Sequence, residues 1–426
     1  MEFYQLNNYE ISIEKQFARD IIKASFPLRY GKYSAIKTSE YEFLFNLNGE
    51  IKFIRGLNLK SWPHPAEQLK RTDGNDWVYY SVGDDSSDKG VIAWLGEYYL
   101  PCLPYPSNSV WEVSYFSNPN AMNALASLSQ LYGNLFGARK DGLSFTVRDF
   151  IDLVLDNDEN VLHEKSMKLF SIIGGRVSVL PPDTRHVDYE IIPLIIADGC
   201  LYHCKFCCVK SAQQFQTRSK ADILEQIQQL EIFYGRNLEN YNALFLGNHD
   251  ALEAGDDLIY LAASESIEAF GFGNTRSRTP RLFLFGSVDS LLKSGNELFE
   301  KLNHLPFYTY INIGLESVDA PTPAYIHKPL DTSKIRAAFQ KMLDINSAYA
   351  NIEITANFLL GEQLSPEHYQ SLAELLRNAP VPSHSKGAVY LSPLKDSPKK
   401  RELLPKFLEI KKQSRLPAYI YLIQRL

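Results

Sequence analysis

The sequence predicts an α/β protein, an open barrel of six βα units preceded by an α+β domain. Three observations carry this. After about residue 186, apolar strand-like runs alternate with amphipathic helical runs six times; four of the 5 cysteines crowd into a loop after the first run; and all 4 tryptophans lie ahead of it. A chain of 426 residues is also long for a single core, which makes two domains the starting assumption. The boundary is placed at residues 185 and 186, giving domains 1–185 and 186–426.

In the first domain, Tyr41–Phe45 is rich in strand formers, and Asn48-Gly49 is a turn signal before Ile51–Ile54, so a hairpin is expected. Trp77–Tyr80 and Val91–Trp94 look like a second strand pair across the polar run from Gly83 to Gly90. Leu125, Leu128, Leu131 and Leu135 recur at helical spacing within Ala121–Phe136, and His163–Ile173 has the same character. A small antiparallel sheet with helices follows. Its aromatic residues are read as core, and no motif in it carries chemistry.

The second domain is read from its periodicity. The strand-like runs are Ile191–Ile196, Ala243–Leu246, Arg281–Phe285, Tyr308–Ile313, Ile352–Leu360 and Ala388–Leu391, with Tyr419–Ile423 as a further candidate. Between them Ile223, Ile227, Leu230 and Phe233 mark one helix, and Ile335, Phe339, Met342 and Leu343 another. Ser365-Pro366 supplies a capping residue and a first-turn proline. Strands alternating with helices make a parallel sheet, and six units are too few to close an eight-unit barrel. Pro193 fits an edge strand, which an open barrel has and a closed one lacks.

The chemistry is concentrated in Gly199-Cys200-Leu201-Tyr202-His203-Cys204-Lys205-Phe206-Cys207. Three thiols at C-x3-C-x2-C spacing on a short loop suit a soft metal, and iron–sulfur clusters and zinc are the ordinary occupants. Structural zinc normally takes four protein ligands. His203 lies awkwardly between two of the cysteines, and Cys208 directly follows Cys207. A cubane held by three thiolates instead leaves one iron open to another ligand.

With an aromatic residue before its last cysteine, this motif resembles that of the radical S-adenosylmethionine superfamily. The resemblance covers about 240 residues. It implies a partial (βα)6 barrel, a 4Fe-4S cluster on Cys200, Cys204 and Cys207, and S-adenosylmethionine on the open iron. It places Phe206 against the adenine and gives Gly247 and Asn248 to a turn that receives the amino group. Here Gly247-Asn248-His249-Asp250-Ala251-Leu252 departs from the common Gly-Gly-x-Pro form and is nearer a Gly-Asp-Gly-Asp-Ala-Leu variant. Gly314-Leu315-Glu316-Ser317, followed by Lys328-Pro329, is similar to a Gly-Leu-Glu-Ser…Lys-Pro segment, so Glu316 would reach the cofactor's polar groups. Ser287 and Asn357 would meet its ribose or carboxylate.

The implied chemistry is reductive cleavage of S-adenosylmethionine to a 5′-deoxyadenosyl radical that abstracts hydrogen from an unidentified substrate. His249 and Asp250 are the candidates for proton transfer, and Cys208 is either a buried hydrophobe or a hydrogen donor. Only Cys102 precedes the motif and no cysteine follows Cys208, so one cluster is expected; neither a cobalamin-loop motif nor a cysteine at position 209 is present. These features favour a rearrangement, a lyase reaction or C–H oxidation. An electron donor such as flavodoxin or ferredoxin is implied. A non-enzymatic iron–sulfur or zinc binding module, acting as sensor or scaffold, is the alternative.

Charge and hydropathy bound the rest. A net charge of −6 gives no bulk attraction to nucleic acid. No uncharged run approaches the ~20 residues of a membrane span, and the amino terminus lacks a signal-peptide pattern. Few, clustered cysteines fit a reducing cytoplasm.

Overall fold

The computed structural model describes residues 3–17, 31–58, 67–81, 119–138, 143–177, 179–187, 189–202, 204–207, 214–272, 279–328, 330–380, 386–394 and 402–421. Val91–Trp94, Trp62, Trp94, Trp111, Cys102, His203, Cys208 and Pro329 lie outside the described residues.

A seven-stranded antiparallel sheet comes first, in sequential order: β1 (Phe3–Leu6), β2 (Tyr9–Gln16), β3 (Lys32–Lys37), β4 (Tyr41–Phe45), β5 (Ile51–Gly56), β6 (Glu67–Arg71) and β7 (Trp77–Ser81). The expected β4–β5 hairpin is present, with Gly49 at φ +79° in the turn. The sheet is larger than the sequence suggested. Trp77–Ser81 pairs with Glu67–Arg71, a strand hidden by its polar side chains. Helices α1 (Pro119–Ala138), α2 (Phe145–Leu155) and α3 (Glu159–Ile173) follow. Phe43, Phe45 and Ile54 of the sheet form one core with Leu131 and Leu135 of α1 and Ile151 of α2.

A seven-stranded parallel sheet makes the second unit. In order from its first edge it runs β8 (Ile192–Ile195), β11 (Ala243–Gly247), β12 (Arg281–Gly286), β13 (Tyr308–Glu316), β14 (Ile352–Leu360), β15 (Val389–Pro393) and β16 (Ala418–Ile420). All six expected strands occur, the further candidate adds β16, and Pro193 lies on the edge strand. The helices along this sheet are α4 (Lys220–Tyr234), α5 (Asp256–Ala269), α6 (Val288–Lys293), α7 (Asn296–His304), α8 (Pro321–Tyr325), α9 (Thr332–Ala348), α10 (Pro366–Asn378) and α11 (Leu403–Gln413). The architecture is thus a partial, open βα barrel behind an antiparallel α+β unit. No helix among the described residues is long and apolar enough to cross a membrane.

Alternation along each strand assigns its two faces. Leu244, Leu246, Ile311, Ile313, Ile354 and Phe358 pack against the helices. Ala243, Phe245, Phe283, Tyr310 and Tyr390 point the other way, into one cluster with Tyr33, Ala35, Leu44 and Phe53 of the antiparallel sheet. The lower lumen is therefore filled. A 3-10 turn at Pro182–Val187 completes it: Asp183 accepts from Thr355 Oγ1 at 2.9 Å and from Tyr390 OH at 2.6 Å.

Buried charges tie the two sheets together. Lys70 of β6 meets Glu190, just ahead of β8, at 3.0 Å, with both side chains 5% exposed. The Lys70 ammonium also lies over the rings of Phe53 and Tyr189. Removing one member of such a pair strands a charge, whereas replacing both by apolar groups does not. Lys70→Ala is expected to lose about 3–5 kcal/mol of stability, and the pair Lys70→Met with Glu190→Leu to stay near the parent. Denaturant midpoints of the three proteins check this.

Candidate active site

The carboxyl ends of the parallel strands open into one cleft enclosing about 1040 Å³ of space. Parallel barrels gather chemistry at this end, because the loops that follow the strands converge there. The cleft is lined by Cys200, Cys204 and Cys207 together with Phe206, His249, Asp250, Ser287, Glu316 and Asn357. Five positions spread from His249 to Asn357 thus meet the cysteine loop's own side chains. Gly247 and Asn248 do not line the cleft. Gly247 closes β11, where an added Cβ would sit 2.6 Å from Ile195 Cδ1, and the Asn248 amide donates to Ala197 O at 3.2 Å.

The cysteine loop is held at its base. Short strands β9 (Ala197–Asp198) and β10 (Gln216–Thr217) pair antiparallel, and Arg218 grips Asp198 with two hydrogen bonds of 2.8 and 2.9 Å. Across the mouth, the Lys205 amide donates to Ile326 O at 2.8 Å. Tyr202 OH donates to Asp289 Oδ2 at 2.5 Å, and Asp289 in turn meets Lys334 at 3.0 Å. No three His, Cys, Asp or Glu side chains among the described residues are grouped to hold a single metal ion.

Burial pushes the Cys200 thiol up and the Cys204 thiol up to about 12, with Lys328 opposing the rise in both. Thiols in such surroundings keep their protons until a metal displaces them. Lys328, 6% exposed, donates to Gly314 O at 2.6 Å and to Glu316 Oε1 at 3.1 Å, and lies 5.3 Å from the Tyr202 ring centre. Three thiols facing one cleft, beside a buried ammonium that offsets their charge on ionisation, fit an anionic iron–sulfur cluster. The sequence reading gave Lys328 no role. Its only local signal is the Lys-Pro step that ends the Gly-Leu-Glu-Ser segment.

Glu316 and Asp250 differ sharply. Glu316 ends β13 in the left-handed region at φ +65°, where the β13–β14 register shifts. Gly314 makes room for it, because a Cβ there would sit 2.4 Å from Glu316 Oε1 and 3.2 Å from Lys328 Nζ. Among the described residues Asp250 forms no ion pair. Its Oδ1 accepts from the Ser287 amide at 2.9 Å and from Ser290 Oγ at 2.8 Å, while its Oδ2 is buried without a hydrogen bond. Burial raises its carboxyl to about 6, and burial lowers His249. Ser287 caps α6 through Ser290, so its hydroxyl is engaged within the wall. Asn357 is held by Asn312 through reciprocal bonds of 2.6 and 3.2 Å. Phe206 packs beside Ile326, Leu359 and Leu364.

No family model matches the sequence, and no curated protein matches it. Among solved structures, the cobalamin-dependent S-adenosylmethionine radical enzyme OxsB is similar at a TM-score of 0.34 and 14% identity, over 55% of this chain and 33% of that one. The chain thus spans about a third of that enzyme's length. A radical SAM methyltransferase from Sphaerobacter thermophilus is similar at 0.34 and 14%, over 54% of this chain and 66% of that one. SuiB of Streptococcus suis is similar at 0.36 and 9%, over 84% and 71%. At these scores the likenesses bear no weight of their own, and the functional reading rests on the cleft.

Folded, the buried Asp250 carboxyl holds a proton to about pH 6, above the ordinary 3.8 of an exposed aspartate. The group therefore costs stability that grows as pH rises from about 4 to about 6 and is constant above. Asp250→Asn keeps the oxygen acceptor and loses the charge. It is expected to gain about 2–3 kcal/mol at pH 7 to 8 and nothing near pH 4. Denaturant midpoints across that range decide it, and a flat difference would refute the assignment.

Proposed function

We propose that this chain is a radical S-adenosylmethionine enzyme. The observation that supports it most is the meeting of the C-x3-C-x2-C thiols with Asp250, Glu316, Lys328 and Asn357 in one cleft at the strand ends. Cys200, Cys204 and Cys207 would hold three irons of a 4Fe-4S cluster, and the open iron would take S-adenosylmethionine. The chemistry such a pair would supply there is one-electron reductive cleavage of the sulfonium to methionine and a 5′-deoxyadenosyl radical.

The chain's own residues do the rest. Glu316 and Lys328 form a charge pair that can receive the ammonium and carboxylate of the amino-acid end. Phe206 offers an apolar ring for the adenine, and Asn357 and Ser287 offer polar atoms to the ribose or carboxylate. Asp250 has a carboxyl raised to about 6 and can hold or release a proton near neutral pH, as can His249. Tyr421, Phe285 and Val179 line the inner wall and exclude water from a reactive radical. We assign residues 186–426 to the catalytic barrel and 1–185 to an accessory domain. The substrate is unidentified. A flavodoxin or ferredoxin serves as donor, and a reducing cytoplasm suits the cluster; a single-cluster rearrangement, lyase reaction or C–H oxidation is the favoured chemistry.

Anaerobically reconstituted protein is expected to carry about four irons per chain, one cubane's worth. Cys200→Ala, Cys204→Ala or Cys207→Ala should lose nearly all of it, while Cys102→Ala and Cys208→Ala keep it. The reduced protein should convert S-adenosylmethionine to 5′-deoxyadenosine. A loaded, reduced cluster that never does so, even with cell extract, would favour the binding module instead.

Gly314→Ala tests the charge pair separately. The added methyl group cannot share space with Glu316 Oε1 at 2.4 Å, so the pair must open. Iron content should hold while affinity for S-adenosylmethionine falls by about tenfold or more, the worth of a charge-assisted hydrogen bond. Titration of the reduced cluster's EPR signal with the cofactor reads both.

A further inference from the structure

Behind the turn that carries Glu316 lies a second polar unit, which the chemistry above does not use. Ser317, Asp319 and His368 are 0%, 2% and 0% exposed. They join the end of β13, the approach to α8 and the first turn of α10. Ser317 Oγ is 2.6 Å from His368 Nδ1 and within hydrogen-bond reach of Asp319 Oδ1. His368 Nε2 is 3.0 Å from the carbonyl oxygen of Leu359, a residue of the cleft wall. Asp319 Oδ2 accepts from Thr322 Oγ1 at 2.9 Å and from Ser365 Oγ at 3.3 Å.

Counting hydrogens shows a shortage. A carbonyl oxygen can only accept, so His368 Nε2 carries a hydrogen. The contacts from Ser317 Oγ to Nδ1 and to Asp319 Oδ1 each need one more, and a serine hydroxyl has a single hydrogen. Neutral imidazole with ionised Asp319 therefore leaves one contact without a donor. One added proton satisfies both contacts, whether it rests on Nδ1 or on the carboxyl. It also brings the three residues to zero net charge, as burial favours.

Surrounding groups are few. The Tyr369 ring stands edge-on to His368 at 4.9 Å, and Lys406 of α11 is the further charge acting on it. Burial, the largest influence, and Lys406 set the imidazole below its ordinary value against the Leu359 carbonyl and Asp319, so the imidazole alone does not hold the added proton; the hydrogen count assigns it to the three linked residues together.

The geometry points to a clamp in which Ser317, Asp319 and His368 keep one shared proton and thereby fix the turn that presents Glu316. Ser317 directly follows Glu316, and its amide donates to Leu315 O at 2.8 Å, so little slack separates clamp from carboxylate. His368 and Ser317 act here as positioning residues. The role of Glu316 rests on the function proposed above; the proton count does not.

The test starts with full-length, cluster-loaded protein unfolded in guanidinium at pH 8 with a pH indicator, beside Asp319→Asn. Unfolded histidine and aspartate bind essentially no proton at that pH, their ordinary values being about 6.5 and 3.9. The parent should release about one more proton per chain than the variant. In Asp319→Asn the amide donates to Ser317 Oγ, and the serine hydroxyl serves a neutral imidazole, so every contact has a donor and the fold persists. Equal release overturns the clamp.

Positioning is read by S-adenosylmethionine affinity from the EPR signal of the reduced cluster. Ser317→Ala should weaken it about tenfold, the worth of one buried hydrogen bond to a charged or coupled group. Parent affinity should fall as the unit loses its proton at high pH, and the affinity of Asp319→Asn should lack that step. Unchanged affinity and identical pH profiles overturn the positioning role. Should the parent bind no S-adenosylmethionine, the proposed function fails, and hydrogen exchange of residues 314–320 decides the clamp. Faster exchange in Ser317→Ala than in the parent supports it, and equal exchange overturns it.

Discussion

One buried ammonium organises the mouth of the barrel. Lys328 is only 6% exposed, so its hydrogens must find acceptors mostly within the protein. They find the carbonyl of Gly314 and the carboxylate of Glu316. That requirement explains two irregularities of β13. Glu316 adopts a left-handed backbone conformation, which a non-glycine residue occupies only when its surroundings enforce it. Gly314 lacks the side chain that would otherwise fill the space of the ion pair. The Tyr202 ring completes the cage and carries the influence of Lys328 into the cysteine loop. From there Asp289 and Lys334 extend the same network outward.

The barrel confines its open space to the mouth because side chains fill its lower half. Phe283 stacks on Tyr310 at 5.2 Å between ring centres, and residues from the antiparallel sheet close over the same layer. Successive inward positions of β14 read Glu353, Thr355, Asn357 and Leu359. Thr355 is tied by Asp183 and Asn357 by Asn312, so the polar side chains at these two inward positions are partnered. A strand with one face against helices and the other against a filled lumen is buried on both sides. Its side chains are held in place, which suits the positioning role proposed for Asn357.

Double burial is also why the sequence was so legible here. Parallel strands covered on both faces read as continuous apolar runs, and each of those runs became a strand. The cysteine loop is legible because its three thiols lie within eight consecutive residues. What escaped is what is settled at long range. Glu67–Arg71 looks like a surface segment, yet Lys70 and Arg71 are 4% and 2% exposed in β6, with Glu190 more than a hundred residues away as the partner of Lys70. Ser317 and His368 are 51 positions apart and show no shared pattern. Lys328 stands in a recognisable Lys-Pro step, but its acceptors are set by how β13 ends. Asp250 is marked in the sequence by its place after a strand; its tie to Ser287 and Ser290 depends on the packing of α6 against the same loop.

Two carboxylates now face one cleft in different surroundings, and environment can divide labour between chemically similar groups. Glu316 has an ammonium at 3.1 Å. It is suited to recognising charge, because the pair offers both signs at a fixed separation. Asp250 has hydroxyl and amide donors on one oxygen, no hydrogen bond on the other, and a carboxyl raised by burial to about 6. It is suited to exchanging a proton, because neither of its states is strongly preferred near neutral pH. Interchanging the two would defeat both tasks. A carboxylate bonded to Lys328 has an oxygen already engaged, and withdrawing it from the end of β13 would leave the Lys328 ammonium with the Gly314 carbonyl as its remaining hydrogen-bond acceptor. The division follows from where the loops place their cations, since the side chains themselves differ by one methylene.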